Sequence, residues 1–247
     1  MILNSLRMYN LKYRDEYGQM IVCCDSGAVW RKKIFPYYKA SRAKSRSESS
    51  IDWNEFFGLL NQIRDEIRDH LPYKVIHLQG AEADDVIATL TKFASEKVMI
   101  VSSDHDFVQL QKYAKVEQFS PMTKKAILEA NPIRALQIKI LQGDTGDGVP
   151  NILSDDDTFV TEGKRQKPLT SKKIDQLLKD VPHTNSNFRR NRTMIDFTCI
   201  PAEIEKEILQ AYEQSITRPS SNKQILNYLM EKRCSQLTQR VSDFFIN

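Results

Sequence analysis

A chain of 247 residues, 40% apolar and 28% charged, is long enough for one large globular domain or for a domain with a helical annex. Its net charge of +4 is too small to name a partner by itself, and no stretch approaches the roughly 20 apolar residues that span a bilayer. Cys23, Cys24, Cys199 and Cys234 show neither paired metal spacing nor the framework of a small secreted domain, and the first ten residues lack a signal-peptide core, so a reduced, cytoplasmic protein is expected.

In chain order, Ile2 to Tyr13 carries apolar residues at helical spacing, and Met20 to Cys24 is a short apolar run that reads as a buried strand ending at Asp25. Residues 31–50 follow as a basic segment rich in Ser, Lys and Arg, with Phe35, Tyr37 and Tyr38 interleaved; it reads as a flexible or arching insertion. Asp52 to Leu71 is a strongly amphipathic helix. Lys74 to Leu78 predicts a strand, Ala81 to Ser95 a helix, Lys97 to Ser103 a strand, Asp106 to Lys112 a short helix, and Val116 to Phe119 a strand. This alternation predicts an α/β fold on a mostly parallel central sheet flanked by helices. Beyond Asn131 the strand signals stop, and helices are predicted at about 132–142, 170–180, 201–214, 222–232 and 235–245. The expected division is an α/β region at 1–130 and a helical region at 131–247.

Charge is unevenly placed. Seven basic residues (Arg31, Lys32, Lys33, Lys39, Arg42, Lys44, Arg46) fall between positions 31 and 46 with no acid among them. A second basic stretch runs through Lys164, Arg165, Lys167, Lys172 and Lys173. Acids cluster elsewhere, at 82–85, 104–106 and 144–147. Asp25 and Asp104 close predicted strands, and Glu82, Asp84 and Asp85 open the helix after a third. In an open parallel sheet those ends share one edge. Each feature alone also has a plain reading as a helix cap, a turn former or a solvated face. Several carboxylates at one edge repel unless a cation joins them. Without a His or Cys pattern, a hard oxygen-preferring ion is implied, Mg²⁺ or Mn²⁺ in its place, and two such ions could activate a water against a phosphodiester.

Glu82-Ala83-Asp84-Asp85, Ser102-Ser103-Asp104-His105-Asp106-Phe107 and Gly143-Asp144-Thr145-Gly146-Asp147 resemble, in order and spacing, the 5′→3′ exonuclease and flap endonuclease superfamily in its phage ribonuclease H branch. Trp30-Arg31-Lys32, Tyr37-Tyr38-Lys39, Phe119-Ser120-Pro121-Met122 and Ile195-Asp196-Phe197 extend the likeness over nearly the whole chain. The resemblance implies a PIN-like nuclease domain with a basic arch, and a helical C-terminal part carrying a helix–two-turn–helix DNA-binding element. It implies that Asp25, Glu82, Asp84 and Asp104 hold one ion and that Asp106, Asp144 and Asp147 serve a second. Arg31 and Lys39 would reach the scissile phosphate from the arch, and Tyr37 and Tyr38 would stack on a base or anchor the arch. Lys32, Lys33, Arg42, Gly143, Gly146 and Gly148 would contact nucleic acid, with K⁺ at the glycine turn.

The implied activity is metal-dependent cleavage from 5′ ends, removing RNA primers and adjacent DNA in replication. Its partners would be duplex DNA with a 5′ flap or nick, an RNA–DNA hybrid, a sliding clamp and a single-strand-binding protein, met by a monomer away from any membrane. If phage-encoded, the protein would work in the host cytoplasm. Three departures stand out. Gly148 replaces the family's Asn; Asp155-Asp156-Asp157 would repel phosphate if they faced it; and the family's first strand, with its metal-binding Asp, has no counterpart before Asp25. The last leaves open an alternative, a catalytically impaired protein that binds branched or nicked duplex without cutting it. At the C-terminus, Val241 to Phe245 could be a clamp-docking peptide or a helix packed on the core.

Overall fold

A computed structural model describes residues 1–27, 29–215 and 221–245. It is an α/β fold, rich in helix, with a small sheet in two pieces. Helix α1 spans Ile2–Tyr17 and ends at Gly18, whose φ of 72° suits glycine. Strand β1 (Ile21–Cys24) pairs in parallel with β2 (Lys74–His77), Cys24 opposite His77. A separate sheet joins β3 (Val98–Val101) in parallel to β4 (Val116–Ser120), with β5 (Lys125–Ile127) antiparallel on its far side. The single central sheet expected from the alternation is thus divided, and among the described residues no strand bridges the two pieces.

Between β1 and β2 lie the short helices α2 (Trp30–Ile34) and α3 (Ser41–Ser47), then α4 (Trp53–His70), which Asp52 caps by accepting from the Asn54 and Glu55 N–H groups. The basic segment is therefore not wholly an insertion outside the core. Trp30, Phe35 and Tyr38 are buried, because the chain must turn here over the sheet edge and anchors itself with its aromatics. Lys32, Lys33 and Tyr37 stay exposed between these anchors, and from Arg42 onward the segment becomes a mostly exposed arm.

Helix α5 (Ala83–Phe93) follows β2, and a 3-10 helix at His105–Lys112 follows β3. The later helices are α6 (Pro132–Gln142), α7 (Ser171–Lys179), α8 (Ser186–Ile195), α9 (Ala202–Gln214), α10 (Asn222–Glu231) and α11 (Ser235–Thr238). Most of these match the expected spans. Helix α8 does not, since its sequence is polar and is held by contacts rather than by a long apolar face: buried Asn191 donates to the Ile140 and Pro150 carbonyls at 2.8 and 2.9 Å.

The core does not break near residue 130. Leu71 and Tyr73 pack with Tyr228, Leu229, Val241 and Phe244, and Ile76 packs with Ile208. A second cluster joins Tyr38 and Val29 to Leu141, Val149 and Phe188. The tail lies against α1: Arg7 pairs with Asp243 at 2.6 Å, Asn10 donates to the Asp243 carbonyl, and Phe244 has no exposed surface. In this conformation Phe244 is a core residue and offers no docking ring to a clamp. No helix among the described residues is long and apolar enough to cross a membrane, and the four cysteines are free thiols.

Candidate active site

The parallel pairing of β1 and β2 carries the chain past both strand ends to the same edge. There the Ser26 N–H donates to the Ala81 carbonyl, and the Trp30 N–H to that of Gly80 at 2.9 Å. This register sets Asp25 beside the start of α5, where its carboxylate accepts the Ala83 N–H at 2.8 Å. Asp84 occupies the first turn of that helix. Asp104, after β3, caps the 3-10 helix by accepting the Asp106 N–H at 2.8 Å. The three have no ion-pair partner among the described residues. Burial, and next the charge of Asp104, push the Asp84 carboxyl up to about 7. These are the conditions a bound cation would relieve.

Glu82, Asp85 and Asp147 are in the opposite situation. Arg31 is only 2% exposed, so it does not stand on an open arm. Its guanidinium meets Glu82 at 2.9 Å and Asp85 at 2.8 Å, and its Nε donates to the Met194 carbonyl. The expected reach of Arg31 from the arch to a phosphate is corrected by this burial: its Nε and Nη1 groups already donate to Met194, Glu82 and Asp85 inside the protein. Trp30 Nε1 also donates to Asp85 at 3.0 Å. The Tyr38 hydroxyl lies 2.9 Å from Glu82 and 2.8 Å from Asp147, so this ring is an anchor, whereas Tyr37 stays exposed. Lys39 reaches Glu82 at 2.5 Å and Asp147 at 3.5 Å, and half-exposed Arg42 reaches Asp147 at 2.8 Å. Burial raises the Glu82 carboxyl, but Lys39 and Arg31 outweigh it and the net shift is downward. Asp147 goes up, because burial there exceeds the help of Lys39.

The glycine turn brings two more carboxylates. Gly143 ends α6 at φ 73°, and a Cβ there would lie 2.3 Å from the Val149 carbonyl oxygen. Glycine is required because Asp144 and Val149 exchange backbone hydrogen bonds across the turn, at 2.8 and 2.7 Å. Gly148 also has φ 73°, and the Tyr37 carbonyl would be 3.0 Å from its Cβ. The Lys39 N–H donates to the Asp147 carbonyl at 2.8 Å, so the root of the basic arm is stitched to this turn. Gly146 has no such demand on its backbone. Lys139, in the last turn of α6, pairs with Asp106 and, at 2.8 Å, with Asp144.

Asp25, Glu82, Asp84, Asp104, Asp106, Asp144 and Asp147 therefore come from four chain segments. Among the described residues, no three of them already converge closely enough to enclose an ion. The donor set is all carboxylate oxygen, which suits Mg²⁺ or Mn²⁺, and the uncompensated charge at Asp84 and Asp104 fits such an ion. Lys32 and Lys33 are exposed on α2. Asp155 and Asp157 pair with Lys164, and Asp156 with Arg190, so these acids are neutralised within the chain. Sequence reasoning missed Lys139 and the buried role of Asp85; the one available signal was a basic residue a turn before the glycines.

A family model described as the N-terminal resolvase-like domain of 5′-3′ exonucleases matches residues 1–136, and one described as the C-terminal part of T4 RNase H matches residues 132–244. Ribonuclease H of Enterobacteria phage T4 is 35% identical over 263 residues, covering 99% of this chain and 85% of that protein. DNA polymerase I of Streptococcus pneumoniae is 29% identical over 163 residues, 60% of this chain and 18% of the polymerase. Among solved structures, the D15 flap endonuclease of bacteriophage T5, in complex with DNA and metal ions, superposes with a TM-score of 0.62 at 18% identity, covering 85% of this chain and 89% of that one. The zinc-bound T5 5′-exonuclease gives 0.63 at 17% identity, covering 87% and 90%. The last two show the fold.

Proposed function

This chain belongs to the 5′-3′ exonuclease and flap endonuclease family and is a nuclease, and we propose that it removes RNA primers and adjacent DNA from 5′ ends during replication. The likeness to phage T4 ribonuclease H over nearly its whole length carries the reading. The solved complex of the T5 flap endonuclease with DNA and metal ions supports nucleic acid and a divalent cation as ligands here too. A non-cutting duplex binder has no comparable support.

Asp25, Asp84 and Asp104, with Glu82 beside them, would hold the first ion, and Asp106, Asp144 and Asp147 would serve the second. Bound there, Mg²⁺ ions supply an activated water and stabilise the departing oxygen of the phosphodiester. The chain's own side chains do the positioning. Lys39 and Arg42, at the mouth of the carboxylate edge, would draw the phosphate in; Arg31 holds Glu82 and Asp85 in place from below. Exposed Lys32 and Lys33 would add unspecific attraction to the backbone, weakened by salt. The turn of Gly143, Gly146 and Gly148, with K⁺ as its expected ion, would hold the duplex through backbone N–H groups. The division at 1–130 and 131–247 is proposed as one of labour, catalysis and duplex holding, since the core runs across it. A sliding clamp or single-strand-binding protein would have to dock away from buried Phe244, on a monomer.

The test is cleavage of a 5′-labelled flap and of an RNA–DNA hybrid by this chain. Short 5′ products that vanish with EDTA support the reading, and structure-selective binding without any cleavage overturns it.

A further inference from the structure

Lys139 is the only cation paired with either Asp106 or Asp144 among the described residues. Those two acids come from different segments, the 3-10 helix after β3 and the turn after α6, and the ammonium lies between them. A lysine in the last turn of a helix ordinarily does no more than offset the helix dipole. Here the side chain joins Asp144, in the turn at its own helix end, to Asp106 in the 3-10 helix after β3. It is 30% exposed, on a flexible four-carbon stem, so it can leave without unfolding anything. The contrast with Lys39 is informative. Glu82 keeps Arg31 and Asp147 keeps Arg42 when Lys39 moves, whereas Asp106 and Asp144 would be left with no counter-charge among the described residues.

We propose that the Lys139 ammonium sits, between Asp106 and Asp144, where a second divalent ion would bind, so that the free protein takes one ion readily and the second only by displacing this side chain. The inference rests on the metal reading above. An ammonium and a divalent ion cannot share the same pair of carboxylates at contact distance, because their like charges repel. Occupancy is then ordered: the cation-poor edge of Asp84 and Asp104 fills first, and the site guarded by Lys139 fills last. The guard also keeps Asp106 and Asp144 from repelling each other before metal arrives.

The test is titration of the full chain with Mn²⁺ alone, followed by electron paramagnetic resonance and calorimetry, with no substrate present. The unaltered protein should show one tight and one weak ion, and Asp84→Asn should lose the tight one. Lys139→Met, nearly isosteric and uncharged, should bind the second ion roughly tenfold more tightly, as expected from removing one competing charge near a surface. Lys139→Arg should keep it weak. A second-ion affinity unchanged in Lys139→Met, with the tight ion still lost in Asp84→Asn, overturns the proposal and leaves the metal reading standing. No Mn²⁺ binding by any of the four proteins sinks that reading and the proposal with it. Should Lys139→Met fold only with metal, the rise in its melting temperature with Mn²⁺ replaces the isotherm. A rise larger than that of Lys139→Arg supports displacement, and an equal rise overturns it.

Discussion

The carboxylates of this protein fall into two groups that the same chain treats in opposite ways. Asp25, Asp84 and Asp104 stand at strand and helix ends with no ion-pair partner among the described residues, and burial and mutual repulsion raise Asp84 to about 7 against the pull of the Lys39 charge. Glu82, Asp85 and Asp147 lie beside them, yet Arg31, Lys39 and Arg42 pair with them and the Tyr38 hydroxyl reaches Glu82 and Asp147. The two groups alternate along α5, where Asp84 is open and its neighbour Asp85 is fully buried and paired. Proximity in sequence therefore does not decide which acid is available to a metal. The deciding feature is whether a basic residue from elsewhere in the fold has already arrived.

The contrast breaks first at Asp104. Asp104→Asn leaves the paired group untouched but should lower metal-dependent cleavage by roughly 100-fold or more, the scale on which one electrostatic group in an active site acts. DNA binding measured by anisotropy should stay close to that of the unaltered protein. A fully active Asp104→Asn protein would remove the open group from the mechanism.

Arg31→Met tests the other side, and its effect should appear in stability. The substitution leaves Asp85 and Glu82 buried with one counter-charge fewer, and losing one partner of such a pair costs about 3–5 kcal/mol. Urea unfolding reads this directly. A loss under about 1 kcal/mol, typical of exposed pairs, would mean that the Arg31 cluster is looser than its geometry indicates.

How much of this was legible beforehand follows from which interactions are local. The strands around 21–24, 74–77, 98–101 and 116–120 could be read because each is an apolar run bounded by turn residues. The open carboxylates could be read for a related reason: Asp25, Asp84 and Asp104 sit at the ends of those runs. Arg31 could not. Its partner Met194 is 163 positions away, and in sequence it is one of seven basic residues that look alike. Helix α8 escaped because it is mostly polar, with Phe188, Met194 and Ile195 as its few core residues. Arg190 and Asn191 fix it through side-chain hydrogen bonds to distant carbonyls that the sequence does not announce. The division of the sheet escaped too, since strand pairing is non-local and apolar runs do not say which neighbour each will find.

Gly143→Ala sharpens the comparison by displacing one side only. The residue would have to hold φ near 73° with its Cβ 2.3 Å from a carbonyl oxygen. The backbone strain alone is worth about 1–3 kcal/mol. The turn that presents Asp144 and Asp147 should shift, weakening duplex binding and the second ion, while the tight Mn²⁺ ion at Asp84 persists. Gly146→Ala is the control: its Cβ would meet only the Asp144 side chain, at 3.2 Å, and should be milder in both respects. Equal effects of the two would mean that the turn is not set by Gly143.

The smallest expected effect is a pH dependence that belongs to Asp84. Its carboxyl titrates at about 7 in the metal-free folded protein and near 4 when unfolded. Between those values the folded chain keeps a proton that the unfolded chain has lost, so stability falls as pH rises from about 4 to about 7 and then levels off. Asp106 and Asp147, also raised, add slopes of the same sign, while Glu82 and Asp144, both lowered, oppose them. The contribution of Asp84 is therefore a difference between proteins. In EDTA, the unaltered chain should lose more stability than Asp84→Asn between pH 5 and pH 8, by on the order of 1–2 kcal/mol once partial exposure is allowed for. Mn²⁺ should remove that difference, because an ion beside Asp84 favours its charged form as strongly as burial opposes it. Equal slopes in EDTA would place Asp84 among the compensated acids and erase the contrast between the two groups.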